Sequence, residues 1–181
     1  PASGNPIPPY YLTMQLPGQQ GQEFVLMRPY TPRGKPNQLS SFLVARNDGE
    51  HYGKLVSYEV PNSDAPSPAE AKTLIESERS ISEQFSLLDQ RGSRVIRGSV
   101  QLLPIGNSIV YARPVYVEGR GEGAFPRLRF VAVAYQDRAV LVDFEGGPTS
   151  ITSIDQAMRV LLSGEEVEPP EEEPTEEEPA P

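Results

Sequence analysis

The only histidine, His51, lies in Asn47-Asp48-Gly49-Glu50-His51-Tyr52-Gly53. An imidazole between the carboxylates of Asp48 and Glu50 offers the groups that ligate cations and move protons near neutrality, so the segment invites a metal or acid–base reading. Its spacing favours a polar turn instead. Neighbouring residues in a hairpin point apart, and the segment lacks the alternating oxygen ligands and terminal Glu of a calcium loop. A hydrolase using His51 with Asp48 or Glu50 stays open as an alternative, because a nucleophile and its base can be remote in sequence. With no Cys and one His, the chain can build neither a disulfide framework nor a Cys-based or His-rich metal centre from its own residues, and no cofactor is expected.

Two further patterns carry chemical interest. Gly119-Arg120-Gly121-Glu122-Gly123 resembles a phosphate cradle, but such cradles work where a strand feeds the amino end of a helix. Here the glycines lead into another apolar strand, so a hairpin loop is expected. Arg91, Arg94 and Arg97 form the densest basic cluster. Residues three apart on a strand face opposite ways, so Arg94 and Arg97 cannot both line one surface without a bulge, and paired structural arginines are expected ahead of an anion or acidic-partner site. Arg127 and Arg129 share a face by alternation and, with Arg113 nearby, are the better candidates for an exposed basic strip that binds an anion or an acidic partner.

Positioning these residues requires a scaffold that the apolar periodicity outlines. Alternation over residues 10–16 puts Tyr10, Leu12, Met14 and Leu16 on one face of a half-buried strand. Residues 23–28 form a strand with apolar side chains on both faces. Residues 39–45 and 54–60 make a hairpin around Asn47-Asp48-Gly49, where glycine supplies a positive φ. Ser67-Pro68-Ala69-Glu70 carries the acceptor, the proline and the glutamate of a helix start, and Leu74, Ile81, Phe85 and Leu88 give an apolar stripe ending at Gly92. A second box, Ser80 to Glu83, divides this region near residues 77–80. Strands follow at 94–103, 109–117, 127–135 and 139–144. In the third of these Leu128, Phe130, Ala132 and Ala134 face one way and Arg127, Arg129, Val131 and Val133 the other, with one face expected to be core. Ser153-Ile154-Asp155-Gln156 opens a closing helix with Ala157, Met158, Leu161 and Leu162 apolar and Gly164 at its end. The expected fold is a single α+β domain over residues 10–164, with about eight mainly antiparallel strands, a central helical segment and a terminal helix, entered through a Pro-rich linker over residues 1–9.

Charge separates the remainder. The net charge is −9, and residues 165–181 hold nine Glu and no base, so residues 1–164 are formally neutral, with 16 acids and 16 bases. The Pro/Glu tail has too little apolar surface to offset the entropy of ordering and is expected to be disordered. A neutral body with an acidic tail disfavours nucleic acid and anionic membrane surfaces. No apolar run approaches the ~18–20 residues of a spanning helix.

Several strings, read in order, resemble one family. Pro9-Tyr10-Tyr11 with Met14, Leu16-Pro17-Gly18, Glu23-Phe24, Arg28-Pro29 and Pro32 are followed by Asp48-Gly49-Glu50 and Tyr52-Gly53-Lys54-Leu55. Then come Leu87-Leu88-Asp89-Gln90-Arg91-Gly92-Ser93-Arg94-Val95-Ile96-Arg97-Gly98, Leu103-Pro104-Ile105, and Tyr111 with Pro114-Val115-Tyr116. Together they resemble the carboxyl-terminal region of uncharacterised protein family 0182, over roughly residues 9–163. The resemblance implies a bacterial multi-pass membrane protein in which several amino-terminal spans precede a large extracytoplasmic region ending in this segment. It transfers no catalytic or ligand residue. Its implied partners are the membrane-spanning part of the same polypeptide and an envelope protein. Arg outnumbers Lys 13 to 3, in keeping with a high-GC actinobacterial source. The leading expectation is a non-enzymatic assembly or partner-binding domain of the cell envelope, ahead of the His51 hydrolase and of an accessory domain of a transporter or channel.

Overall fold

Alternating side chains over the first sixty residues fold into a four-stranded antiparallel meander of β1 (Tyr10–Met14), β2 (Glu23–Tyr30), β3 (Ser41–Arg46) and β4 (Leu55–Glu59). The computed structural model describes residues 7–60, 65–90, 92–106, 108–121, 123–147 and 150–163. The expected acidic tail, Gly164, Arg91, Glu122 and most of the expected linker lie outside the described residues.

The inner face of this first sheet carries Met14, Val25, Met27, Phe42 and Val44, all buried. α1 (Pro68–Ser77) and α2 (Arg79–Gln90) follow. Ser67 caps α1 as expected, its Oγ accepting the Glu70 N–H at 3.2 Å with proline in the first turn. The expected division falls at Glu78. The second capping box does not form, because α2 already begins at Arg79, Ser80 bonds to the Glu78 carboxylate, and Glu83 pairs with Arg79.

The second sheet has the order β5 (Ser93–Arg97), β7 (Ser108–Gly119), β8 (Arg127–Tyr135), β9 (Arg138–Asp143), with β6 (Gln101–Ile105) also paired to β7. The described strands therefore number nine, because residues 94–103 form two strands on one edge of β7. Gly98 donates its N–H to the Pro114 carbonyl at 2.8 Å, and the N–H that Pro114 lacks would point to that same edge, so the ladder is interrupted there. Four steps from Arg97 to Gln101 oppose three from Val115 to Ala112. A Cβ at Gly98 would lie 2.8 Å from Pro114 Cγ, so only glycine passes at this point.

Both faces of β8 are covered. Phe130, Ala132 and Ala134 join the main core with Tyr111, Val115, Ile75, Ile81, Phe85 and the inner face of the first sheet. Val133, on the opposite face, packs with Val110, Val142, Ala157 and Leu161 beneath α3 (Ile154–Ser163). α3 opens as expected, with Gln156 N–H donating to Ser153 Oγ at 3.2 Å. A β-bulge shifts the β7–β8 register, with Val115 opposite Phe130 and Tyr116 opposite Leu128. Paired residues share a face, so Leu128 lies on the face opposite Phe130, and it is 48% exposed.

Candidate functional site

The loop that holds the imidazole and its two neighbouring carboxylates is clamped to the first sheet. Asp48 Oδ2 accepts the Phe24 N–H at 2.6 Å, and Asn47 N–H donates to the Phe24 carbonyl at 3.0 Å. Gly49 takes the expected positive φ, +58°, but opens a 3-10 turn, Gly49–His51, rather than a two-residue hairpin. Glu50 is exposed. His51 Nδ1 lies 3.2 Å from Lys54 Nζ, so its nearest polar side-chain contact is a cation rather than Asp48 or Glu50. Among the described residues no three His, Cys, Asp or Glu side chains gather as a metal would require.

Beside this loop stands an ion pair whose partners are 23 residues apart. Arg46 ends β3 on the inner face, where its guanidinium is buried and forks onto Glu23, Nε donating to Oε2 at 2.6 Å and Nη2 to Oε1. The hydrogen bonds from Arg46 hold the Glu23 carboxyl below its usual range, with a smaller contribution from His51, and Glu23 in turn raises Arg46. The stability this pair supplies is complete above the ordinary carboxylate value of 4.5 and is lost as pH falls through the lower folded value. Thermal melts at pH 7 and pH 3 should therefore show a larger acid loss for the native chain than for Glu23→Gln. Equal losses would mean that the carboxylate titrates as it does in the unfolded chain.

The arginine candidates separate. Arg113 does not belong to an exposed strip. Its register opposite Ala132 turns it to the buried face, where Nη1 meets Glu76 Oε1 at 2.8 Å and Nε donates to the Gly98 carbonyl at 2.8 Å. The bulge brings Arg129 over the Phe130 ring, 5.0 Å from its centroid, with Nε 3.5 Å from Asp143 Oδ1 and 3.8 Å from Glu145 Oε2. Arg127 is the exposed member of the three, resting over Phe125 at 4.9 Å. Arg94 pairs with Glu118 at 2.5 Å, while Arg97 lies over Phe85 at 5.1 Å. Of the two expected paired arginines, Arg94 is in an ion pair and Arg97 makes a ring contact.

Two phenols tie the layers together. Tyr10 Oη accepts the Leu102 N–H at 2.8 Å, and burial pushes its pKa up to about 12. Tyr111 Oη donates to the Pro66 carbonyl, and burial with the neighbouring Tyr10 raises it further still. The charged partners Glu23 and Glu76 had no signal in local periodicity, since each meets its arginine only through packing.

Comparison with known proteins decides the family. The profile of the Uncharacterised protein family (UPF0182) matches residues 1–88. A UPF0182 protein of Moorella thermoacetica is 40% identical over 144 residues, covering 79% of this chain and 16% of that protein. The chain belongs to UPF0182. A Prochlorococcus marinus UPF0182 protein is 38% identical over 161 residues, 88% of this chain and 16% of that protein. One from Desulfitobacterium hafniense is 40% identical over 140 residues, 75% and 15%. The chain spans about a sixth of the length of these curated relatives. No solved structure matches it. The longest string of the resemblance lies where α2 ends and β5 begins. There Asp89 Oδ1 accepts the Val95 N–H at 3.1 Å and Gly98 seats on Pro114.

Proposed function

We propose that this UPF0182 segment is a non-enzymatic terminal module of a multi-pass protein of the bacterial cell membrane. It lies on the extracytoplasmic side and serves assembly with the membrane-spanning part of its own polypeptide or with an envelope protein. The observation that carries this reading is where the polar candidates go. Asp48 holds β2, Arg113 holds α1 to the second sheet, and Arg129 faces Asp143, so these groups work within the fold. The relatives' length supports it, since about five-sixths of each lies outside this segment and is available to supply spans. None of the described helices is long and apolar enough to cross a membrane, so the anchor in this reading lies elsewhere in the polypeptide.

Fractionation of cells expressing the full-length protein tests the assignment. The protein should resist carbonate extraction, and this segment should be cleaved by protease added outside spheroplasts. Recovery in the soluble fraction, or protection from external protease, would refute it. In the same cells His51→Ala should leave function intact and change stability by no more than about 0.5 kcal/mol, the range of ordinary surface substitutions. Loss of function with intact folding would return the hydrolase reading to first place.

A further inference from the structure

Among the described residues, the first sheet is covered on one face only. Its outer face carries the directly opposed row Tyr11, Leu26, Ala45 and Leu55, flanked by Phe24 opposite Thr13, by Arg28, Leu43 and Ser57, and by Tyr30 toward one end. Tyr11 is 60% exposed and Leu55 67%, and the Tyr11 and Phe24 rings stack at 5.3 Å. The second sheet shows what such a row normally meets, for its Val110, Val133 and Val142 lie beneath Ala157 and Leu161 of α3. Among the described residues, α1, α2 and α3 make their principal contacts with the second sheet and with one another, leaving the outer row of the first sheet without a helix. An antiparallel sheet can leave a polar face to water, but a contiguous exposed apolar row such as this marks an interaction surface.

We infer that this outer face is a docking surface for an apolar segment of the same polypeptide lying outside these 181 residues, an inference that rests on reading the chain as part of a longer membrane protein. Area favours a tethered occupant over a second copy. At about 4.8 Å between strands and about 3.3 Å per residue, four strands over about six residues present roughly 400 Å². A stable dimer buries about 800 Å² of accessible surface on each partner, which a patch of this footprint reaches only if covered edge to edge. A segment joined to the same chain is presented at an effective concentration on the order of millimolar and binds through less area. The relatives' additional length supplies such a segment, and the uncharged central row selects an occupant with an apolar stripe.

The test uses the full-length protein carrying a single introduced thiol, since this segment contributes no cysteine. Leu55→Cys should react with a maleimide at least ten-fold more slowly than Lys35→Cys, which is placed at an exposed loop residue. Equal rates overturn the proposal. Protection that disappears on dilution assigns the face to a second copy and overturns it as well. Tyr11→Cys is the second reporter should Leu55→Cys fail to fold. Fractionation separates the two claims. A membrane-embedded protein with an open Leu55 position keeps the proposed function and loses the surface, whereas a soluble protein with a protected one does the reverse.

Discussion

Tyr111→Ala is expected to destabilise the fold by about 3–5 kcal/mol, the range for losing a large buried aromatic side chain. Tyr111 is fully buried in the main core, opposite Leu102 on β6 and Ala134 on β8, so its ring bears on several elements at once. At about 2–4 °C per kcal/mol for a domain of this size, Tm should fall on the order of 10 °C. Tyr111→Phe keeps the ring and strands the Pro66 carbonyl, which should cost about 1–3 kcal/mol. Urea titrations of the two variants separate packing from hydrogen bonding, and a loss below about 1 kcal/mol for the Ala variant would contradict this placement. Alkali gives a second readout. The folded phenol is raised above its usual 10.0, so its stabilisation is complete below that value and lost as pH rises through the folded one. Tyr111→Phe should flatten that loss without abolishing it, because Tyr10 is raised as well.

Arg113→Ala is expected to cost about 2–4 kcal/mol, while Arg113→Met should recover at least half of it. The guanidinium is buried with one carboxylate and one carbonyl as partners, so truncation leaves a cavity and an unpaired Gly98 carbonyl. Methionine refills the volume. Glu76 keeps 45% of its side chain in solvent, so when its partner is removed it rehydrates, and its contribution lies below that of a fully buried pair. Equal losses for Ala and Met, measured by urea unfolding, would show that the ion pair rather than its packing holds α1 to the sheet.

Features whose determinants lie close together were legible in the residues. The cap at Ser67, the stripe through Ile81 and Phe85, the break at Glu78 and the closing helix after Ser153 all follow from hydrogen bonds and periodicity spanning a few residues. Alternation located the first four strands to within two residues and placed apolar side chains on both faces of β2. It failed on 94–103 because the interruption is caused by Pro114, on another strand, and on 127–135 because the bulge reverses the face of Leu128 relative to Phe130. The polar residues were hardest to place. Arg113 and Arg127 look alike in sequence, and only pairing registers separate a buried guanidinium from an exposed one.

By itself the sequence determined an α+β fold, its helix boundaries, the order of its strands and its membership of UPF0182. These depend on local backbone preferences, on side-chain period and on overall sequence similarity to the relatives. Tertiary structure alone decided that Arg46 meets Glu23 and Arg113 meets Glu76 across separations of 23 and 37 residues, and that Asp48 holds β2. It alone decided that, among the described residues, one sheet is clothed on both faces and the other on one. The reason is that burial belongs to the stacking of layers, and a strand's own alternation records only that a face is apolar, not what comes to cover it.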